Sequence, residues 1–198
     1  ADWQNKARTG VTHHSSGGHD GGAYISTNVN LVATGGSVQQ GTALIIYRCA
    51  VAPSQLTGQN CSQGDFVDDW LTKGVATLSF WIRHNSANPQ QIFARVPTPA
   101  NNPGASVVWP TDVVPNTWTL MSVDILETDP LWDDRWGGSN FNTIFSNIGR
   151  LQPGIRWDYE EEYDEPGITI DLDDVTISGS GGTQLIAVVI INKTNLHV

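Results

Sequence analysis

Short runs of β-branched and aromatic residues, each cut off by Gly, Pro or Asn, recur along most of this chain. The clearest, VATLSFWIRHN over residues 75–85, alternates throughout: Ala76, Leu78, Phe80 and Ile82 form an apolar set, and Val75, Thr77, Ser79, Trp81 and Arg83 a less apolar one. Successive side chains of an extended strand leave opposite faces, so this run predicts one face on a core, with Trp81 and Arg83 on the other. GGAYISTNV (21–29), TALIIYRC (42–49), QQIFARVPT (90–98), TWTLMSVDI (117–125) and GITIDLDDVTISG (167–179) also read as strands. TQLIAVVIINKTNLHV (183–198) is a last apolar strand after the turn SGSGG, expected to pack on the domain formed by residues 1–179. Val, Ile and Thr supply 50 of 198 residues against 13 Ala, a bias toward strands. About nine strands at this spacing predict an all-β fold, a two-sheet antiparallel β-sandwich of jelly-roll type.

Two segments fit that pattern less well. In GDFVDDWLTKG (64–74), Phe66, Val67, Trp70 and Leu71 suit one face of a short helix or an extended edge. Residues 127–167 are the least strand-like, with one helical turn expected near Phe141 to Ile148.

Charge narrows the partners. Lys plus Arg number 10 and Asp plus Glu 20, a net charge of −10, and residues 127–174 alone hold 13 acids against 3 arginines. A nucleic-acid backbone or an anionic membrane surface needs clustered cations, so neither is an expected partner. No stretch reaches the roughly 20 apolar residues of a membrane helix. No N-terminal apolar run has the form of an export signal, so any such segment was removed or lies outside this sequence. Cys49 and Cys61 flank a polar loop and are expected to form a local disulfide, worth roughly 3 kcal/mol by loop-closure entropy. That pairing, the three lysines and the richness in Trp, Gly and Thr favour a secreted or cell-surface protein. Asn60 and Asn192 match the glycosylation acceptor pattern, a short pattern that often arises by chance.

GGHDGGAYIS, ATLSFWIRHNS, NTWTLMSVDI and ITIDLDDVTI, in that order, resemble carbohydrate-binding modules of the family 4, 9 and 22 type. The aliphatic strand running into Asp173-Asp174-Val175 is the most specific of these segments. MAM-type adhesion domains share a similar sandwich and motif order, with more cysteine. The resemblance implies a jelly roll with a structural Ca²⁺ near the first turn and the closing strand. Asp173 is then the leading ligand, with oxygens around Asp20 to Gly22 nearby and an acid in the first strand, for which Asp2 is the candidate. From the residues themselves, Asp171 and Asp173 share a face by alternation unless a bulge intervenes, and crowded carboxylates suit a hard cation. DYEEEYDE (158–165) could hold a second cation, meet a basic partner or simply be a solvated loop. His13, His14, His19 and Asp20 offer transition-metal ligands, although adjacent histidines on a strand diverge.

Eight tryptophans exceed what a core of this size needs. Trp3, Trp70 and Trp118 are assigned to the core or its margin. Trp81, Trp109, Trp132, Trp136 and Trp157, with Arg83 and Tyr159, sit among polar residues and are the candidate glycan contacts, because sugar C–H faces pack on aromatic rings while polar neighbours bind hydroxyls. Arg–Trp stacking that staples a long loop is the alternative for WDDRW and RWDY. No nucleophile elbow or phosphate loop is present. The leading expectation is a non-catalytic polysaccharide-binding module. A protein-interaction domain using the C-terminal strand or the acidic loop comes second. A small glycan-degrading enzyme, hydrolase or lyase, comes third; as a lyase it could use Tyr159 or Tyr163 with a histidine and Arg83 or Arg95.

Overall fold

The computed structural model describes residues 3–4, 11–32, 41–45, 47–49, 66–132, 134–157, 164–179 and 185–188. Thirteen strands follow in order: β1 (Trp3–Gln4), β2 (Thr12–His14), β3 (Tyr24–Val32), β4 (Gly41–Ile45), β5 (Tyr47–Cys49), β6 (Val75–His84), β7 (Gln91–Pro97), β8 (Gly104–Val108), β9 (Thr119–Asp124), β10 (Asp134–Trp136), β11 (Arg150–Trp157), β12 (Asp164–Gly179) and β13 (Leu185–Val188). They make two antiparallel sheets packed as a β-sandwich. One runs β1-β5-β11-β7-β8-β10, with β4 also on β11; the other runs β2-β3-β12-β6-β9, with β13 also on β12. No helix among the described residues is long and apolar enough to cross a membrane.

The alternation expected of β6 is present. Leu78, Phe80 and Ile82 are buried between the sheets, facing Ile92, Ala94 and Val96 of β7, Ala105 and Val107 of β8, and Leu151 and Ile155 of β11. Each buried aliphatic or aromatic side chain contributes roughly 1.5–3 kcal/mol relative to exposure. Trp81 and Arg83 face outward, half-buried. In β12, Ile170 and Leu172 face the core, and so do Val175 and Ile177. The phase slips by one between them because the pairing with β6 breaks between Asp173 and Thr176, with Asp174 in the left-handed region at φ 42°. That bulge places two acidic side chains side by side at the sheet's outer surface.

The described residues within 127–167 carry more regular structure than their sequence suggests. The helical turn appears as α1 (Phe141–Phe145), capped by Asn140, whose Oδ1 accepts from the Thr143 N–H at 2.9 Å. β11, inside the same segment, is an interior strand that carries Pro153, a residue that disfavours such a position because it cannot donate to the ladder. β11 is held on one flank by the pairing of Leu151 with Arg48 and of Gly154 with Ile45, and on the other by the pairing of Gln152 to Arg156 with β7. Residues 66–74 form linked turns instead of a helix, fixed where the Asp68 and Trp70 N–H groups donate to the carbonyls of Ile148 and Phe145 at 2.8 and 2.9 Å. Leu71, expected on the apolar face, is 37% exposed.

Candidate functional site

Residues of the seven-stranded sheet that turn away from the core form a polar, largely buried layer. With 92, 94, 96, 151 and 155 turned to the core, Phe93, Arg95, Arg150 and Gln152 lie on the opposite face. The register aligns Gln152 with Arg95 and Arg95 with Ser106. Phe93, Gln152 and Ser106 are only 2%, 6% and 6% exposed, so this side is no open, solvated sheet. Trp136 of β10 pairs with Gly104 of β8. A Cβ on Gly104 would stand 2.1 Å from Trp136 Cζ2, so the indole crosses the strand where the glycine leaves room. The Arg95 guanidinium lies 4.6 Å from the centre of that indole, and the Trp136 Nε1–H donates to the Asn101 carbonyl at 3.1 Å.

Beside this platform, Gln152 Oε1 and Arg150 Nε are buried without a hydrogen-bond partner. The outer nitrogens of Arg150 reach Asn101 Oδ1 and the Pro99 carbonyl only at 3.4 Å. Unpaired buried polar atoms cost about 1–3 kcal/mol each, and native proteins keep few of them. An orphan acceptor close to an orphan donor is complementary to a hydroxyl, which gives one hydrogen bond and takes another.

The acidic cluster predicted around Asp173 forms, with one member replaced. Asp173 is 2% exposed. Its Oδ2 accepts from the His19 N–H at 2.9 Å and lies 3.2 Å from His19 Nδ1; its Oδ1 accepts from the Asp174 N–H at 2.9 Å. His19, Asp20 and Asp173 bring ligand atoms within 4.8 Å of one another, and Asp174 Oδ2 stands 3.5 Å from His19 Nδ1. Burial, and then the neighbouring Asp173 carboxylate, push the Asp174 carboxyl above its ordinary pKa. A Cβ on Gly18 would meet Asp173 Oδ2 at 2.4 Å and the carbonyls of Gly22 and Ala23 at 3.0 and 3.3 Å, so a carboxylate and two carbonyls converge at the turn. That oxygen set fits Ca²⁺. Asp171 is not part of it: its Oδ2 accepts from both Nε and Nη2 of Arg83, each at 2.7 Å, which corrects its assignment as a metal ligand. Among the other histidines, His14 stacks on Tyr24 and bonds Ser26 Oγ at 2.7 Å, away from the cluster. Asp2, Tyr159, Cys61 and most of the acidic loop 158–165 lie outside the described residues.

The tryptophans divide differently from the sequence-based assignment. Trp81 is half-buried, with the His19 ring stacked on it at 4.4 Å. Trp109 and Trp132 are 7% and 0% exposed, which removes them from the candidate glycan contacts. Their Nε1–H groups donate to the carbonyls of Ser122 and Asp124 at 2.9 and 2.8 Å. Those carbonyls lie two residues apart on β9, the last strand of its sheet, so both indoles cover one stretch of an edge. Trp157 lies on β11 and Cys49 on β5, but their side chains fall outside the description, and so does any pairing of Cys49 with Cys61. Arg95, Arg150 and Gln152 carry no motif that distinguishes them as ligand contacts; only the sheet register assembles them.

No family model matches the chain, and no curated protein matches it. Among solved structures, an exo-β-agarase aligns with 90% of this chain at 12% identity and a TM-score of 0.49. The chain spans 23% of that protein's length. A protein from Bacteroides vulgatus put forward as a glycoside hydrolase aligns with 83% of the chain and 75% of its own length, at 12% identity and a TM-score of 0.38.

Proposed function

We propose that this chain is a non-catalytic carbohydrate-binding domain, secreted or displayed at the cell surface, which takes a polysaccharide on the outer face of the seven-stranded sheet. The observation that carries the reading is the orphan pair Gln152 Oε1 and Arg150 Nε beside the Trp136–Arg95 platform. A sugar ring laid against the indole would offer its C–H face to the aromatic surface and its hydroxyls to the two unpaired atoms. Stacking and hydrogen bonding then supply affinity with no reacting group in place.

A Ca²⁺ held by Asp173 and Asp20 with the carbonyls of Gly22 and Ala23 belongs to the same reading. It would neutralise crowded carboxylates and tie the turn at residues 17–23 to β12. The role is structural, and no step of ligand binding passes through the ion.

Affinity electrophoresis of the full chain through gels containing xylan, cellulose derivatives, laminarin or agarose tests the proposal. Retardation by at least one polysaccharide, abolished by Trp136→Ala in a protein of unchanged circular dichroism, is expected. Retardation that survives Trp136→Ala unchanged would remove this face as the site.

A further inference from the structure

The opposite sheet carries a cavity that the proposed function leaves unused. A groove of about 470 Å³ opens on the outer face of the six-stranded sheet, lined by Tyr24, Asn28, Arg83, Asn85, Asn116 and Asp171, among others. We propose that it is a second, independent binding site, for an uncharged sugar.

Charge bounds the ligand first. Arg83 and Asp171 cancel each other, and amides, hydroxyls and the aromatic residues His14 and Tyr24 make up the rest of the lining. The anionic group of a sulfated sugar or a uronate would bring acceptors only and would face the Asp171 carboxylate. A cation would meet the guanidinium.

Hydrogen-bond polarity bounds it further. Both Arg83 contacts converge on Asp171 Oδ2. No hydrogen bond to Oδ1 is found among the described residues, so a carboxylate oxygen of this groove-lining residue is left as an acceptor. The two asparagines are held the other way round. Asn28 Oδ1 accepts from Thr169 Oγ1 at 2.9 Å and Asn85 Oδ1 from the Thr169 N–H at 2.7 Å, which leaves their amide NH₂ groups as donors. The groove therefore presents one anionic acceptor and a pair of neutral donors. Sugar hydroxyls answer both, since each donates and accepts.

The ion pair has no evident structural reason to stand here. A buried pair is often no more stabilising than apolar residues of the same volume, and burial pushes the Asp171 carboxyl up despite Arg83. Aromatic rings fix its geometry: the guanidinium lies 4.5 Å from the Trp118 ring centre and 5.3 Å from that of Tyr24, and the two rings meet edge to face at 5.6 Å. A donor and acceptor set this firmly before the ligand arrives lose little entropy on binding.

Nuclear magnetic resonance of the ¹⁵N-labelled full chain reads this site directly, through the Arg83 Nε–H and Trp118 indole N–H signals. The probes are xylohexaose, cellohexaose, laminarihexaose, agarohexaose and, as the anionic control, trigalacturonate. At least one neutral oligosaccharide should shift both signals saturably, in the wild type and equally in Trp136→Ala. Asp171→Asn should weaken that binding by about tenfold or more, the loss of one hydrogen bond to a charged group. Asn85→Ser, a change at an exposed position, should weaken it several-fold and keeps the test valid if Asp171→Asn fails to fold. The proposal is overturned if no neutral probe moves these signals at about 1 mM, or if trigalacturonate or an uncharged peptide moves them more strongly. Saturation at the groove with no Trp136-dependent retardation would instead remove the first site and leave this one standing.

Discussion

Gln152→Leu separates a ligand-binding surface from an ordinary buried sheet face. Gln152 is 6% exposed, and its Oε1 has no partner. Leucine has nearly the same volume and no polar atoms, so the substitution deletes an unpaired acceptor without opening a cavity. The acceptor's burial costs about 1–3 kcal/mol; allowing for imperfect repacking, a net gain of about 1 kcal/mol should raise Tm by about 2–4 °C in a domain of this size. Polysaccharide affinity should move the other way, falling about tenfold for about 1.4 kcal/mol of lost hydrogen bonding. Differential scanning calorimetry and affinity electrophoresis on one preparation read both effects. A more stable protein that binds worse is the signature of a polar atom kept for a ligand. If Tm falls instead by a similar amount, the oxygen is satisfied in the free protein, and the reasoning from an orphan pair collapses.

Three further outcomes follow from other parts of the molecule. His84 is 1% exposed; its Nε2–H donates to the Val113 carbonyl at 2.8 Å and its Nδ1 accepts from the Ser86 N–H at 3.2 Å, so the neutral ring is fully used. Burial holds its pKa below the usual 6.5, so below that pH the unfolded chain takes up a proton that the folded chain refuses. Stability should fall as pH drops through this window, by up to about 1.4 kcal/mol per pH unit, and His84→Gln should flatten the slope in denaturant melts at pH 7 and pH 5. Gly104→Val should displace the Trp136 indole, since even a Cβ would stand 2.1 Å from it; polysaccharide retardation should disappear while the fold, read by far-ultraviolet circular dichroism, persists. CaCl₂ should raise Tm and EDTA reverse it, by about 2.7 kcal/mol at a hundredfold excess over Kd, and Asp173→Asn should abolish the response; a wild-type Tm indifferent to both reagents would exclude a folding role for the ion.

How much of this was legible in the sequence depended on whether period or register carried the information. β6 and β12 announce themselves because each buries one face; alternation alone then fixes which residues of β6 meet the core, and in β12 it does so as far as Leu172, where the bulge shifts the phase. The outward positions of Trp81 and Arg83 followed from the same count. β11 was hidden because Pro153 and Gly154 break both the alternation and the strand propensity; the strand is held by pairing along β7, which reaches from Gln152 to Arg156. Asp171 was misassigned although its face was right: alternation places it beside Asp173, but only the pairing of Asp171 with Arg83 across β12 and β6 shows that a guanidinium takes its carboxylate. The Gln152–Arg95–Ser106 row lays β11 beside the β7–β8 pair, which lies far from it in the chain, and no local pattern can report that.

The tryptophans show why polarity of context was a poor guide to exposure. Trp109 and Trp132 stand among Pro, Asp and Asn and still go inside, because an indole has one N–H to satisfy and β9 offers carbonyls along its edge. Their burial does two things at once: it adds apolar area to the core and shields part of a strand edge that would otherwise template aggregation. Trp118, placed at the core margin by sequence, stays half-buried because a guanidinium already lies against one face of its ring. Trp136 remains near the surface because Gly104 gives it a flat bed and Asn101 an acceptor just outside the sandwich. The carbonyl that each N–H finds therefore separates Trp109 and Trp132 from Trp136, but it is not the whole account: Trp3 and Trp70 are buried with no partner for their N–H groups among the described residues, so apolar burial alone carries those two rings inside. An edge strand draws Trp109 and Trp132 inward, and a loop beyond the sheet holds Trp136 at the rim, where a sugar can reach it.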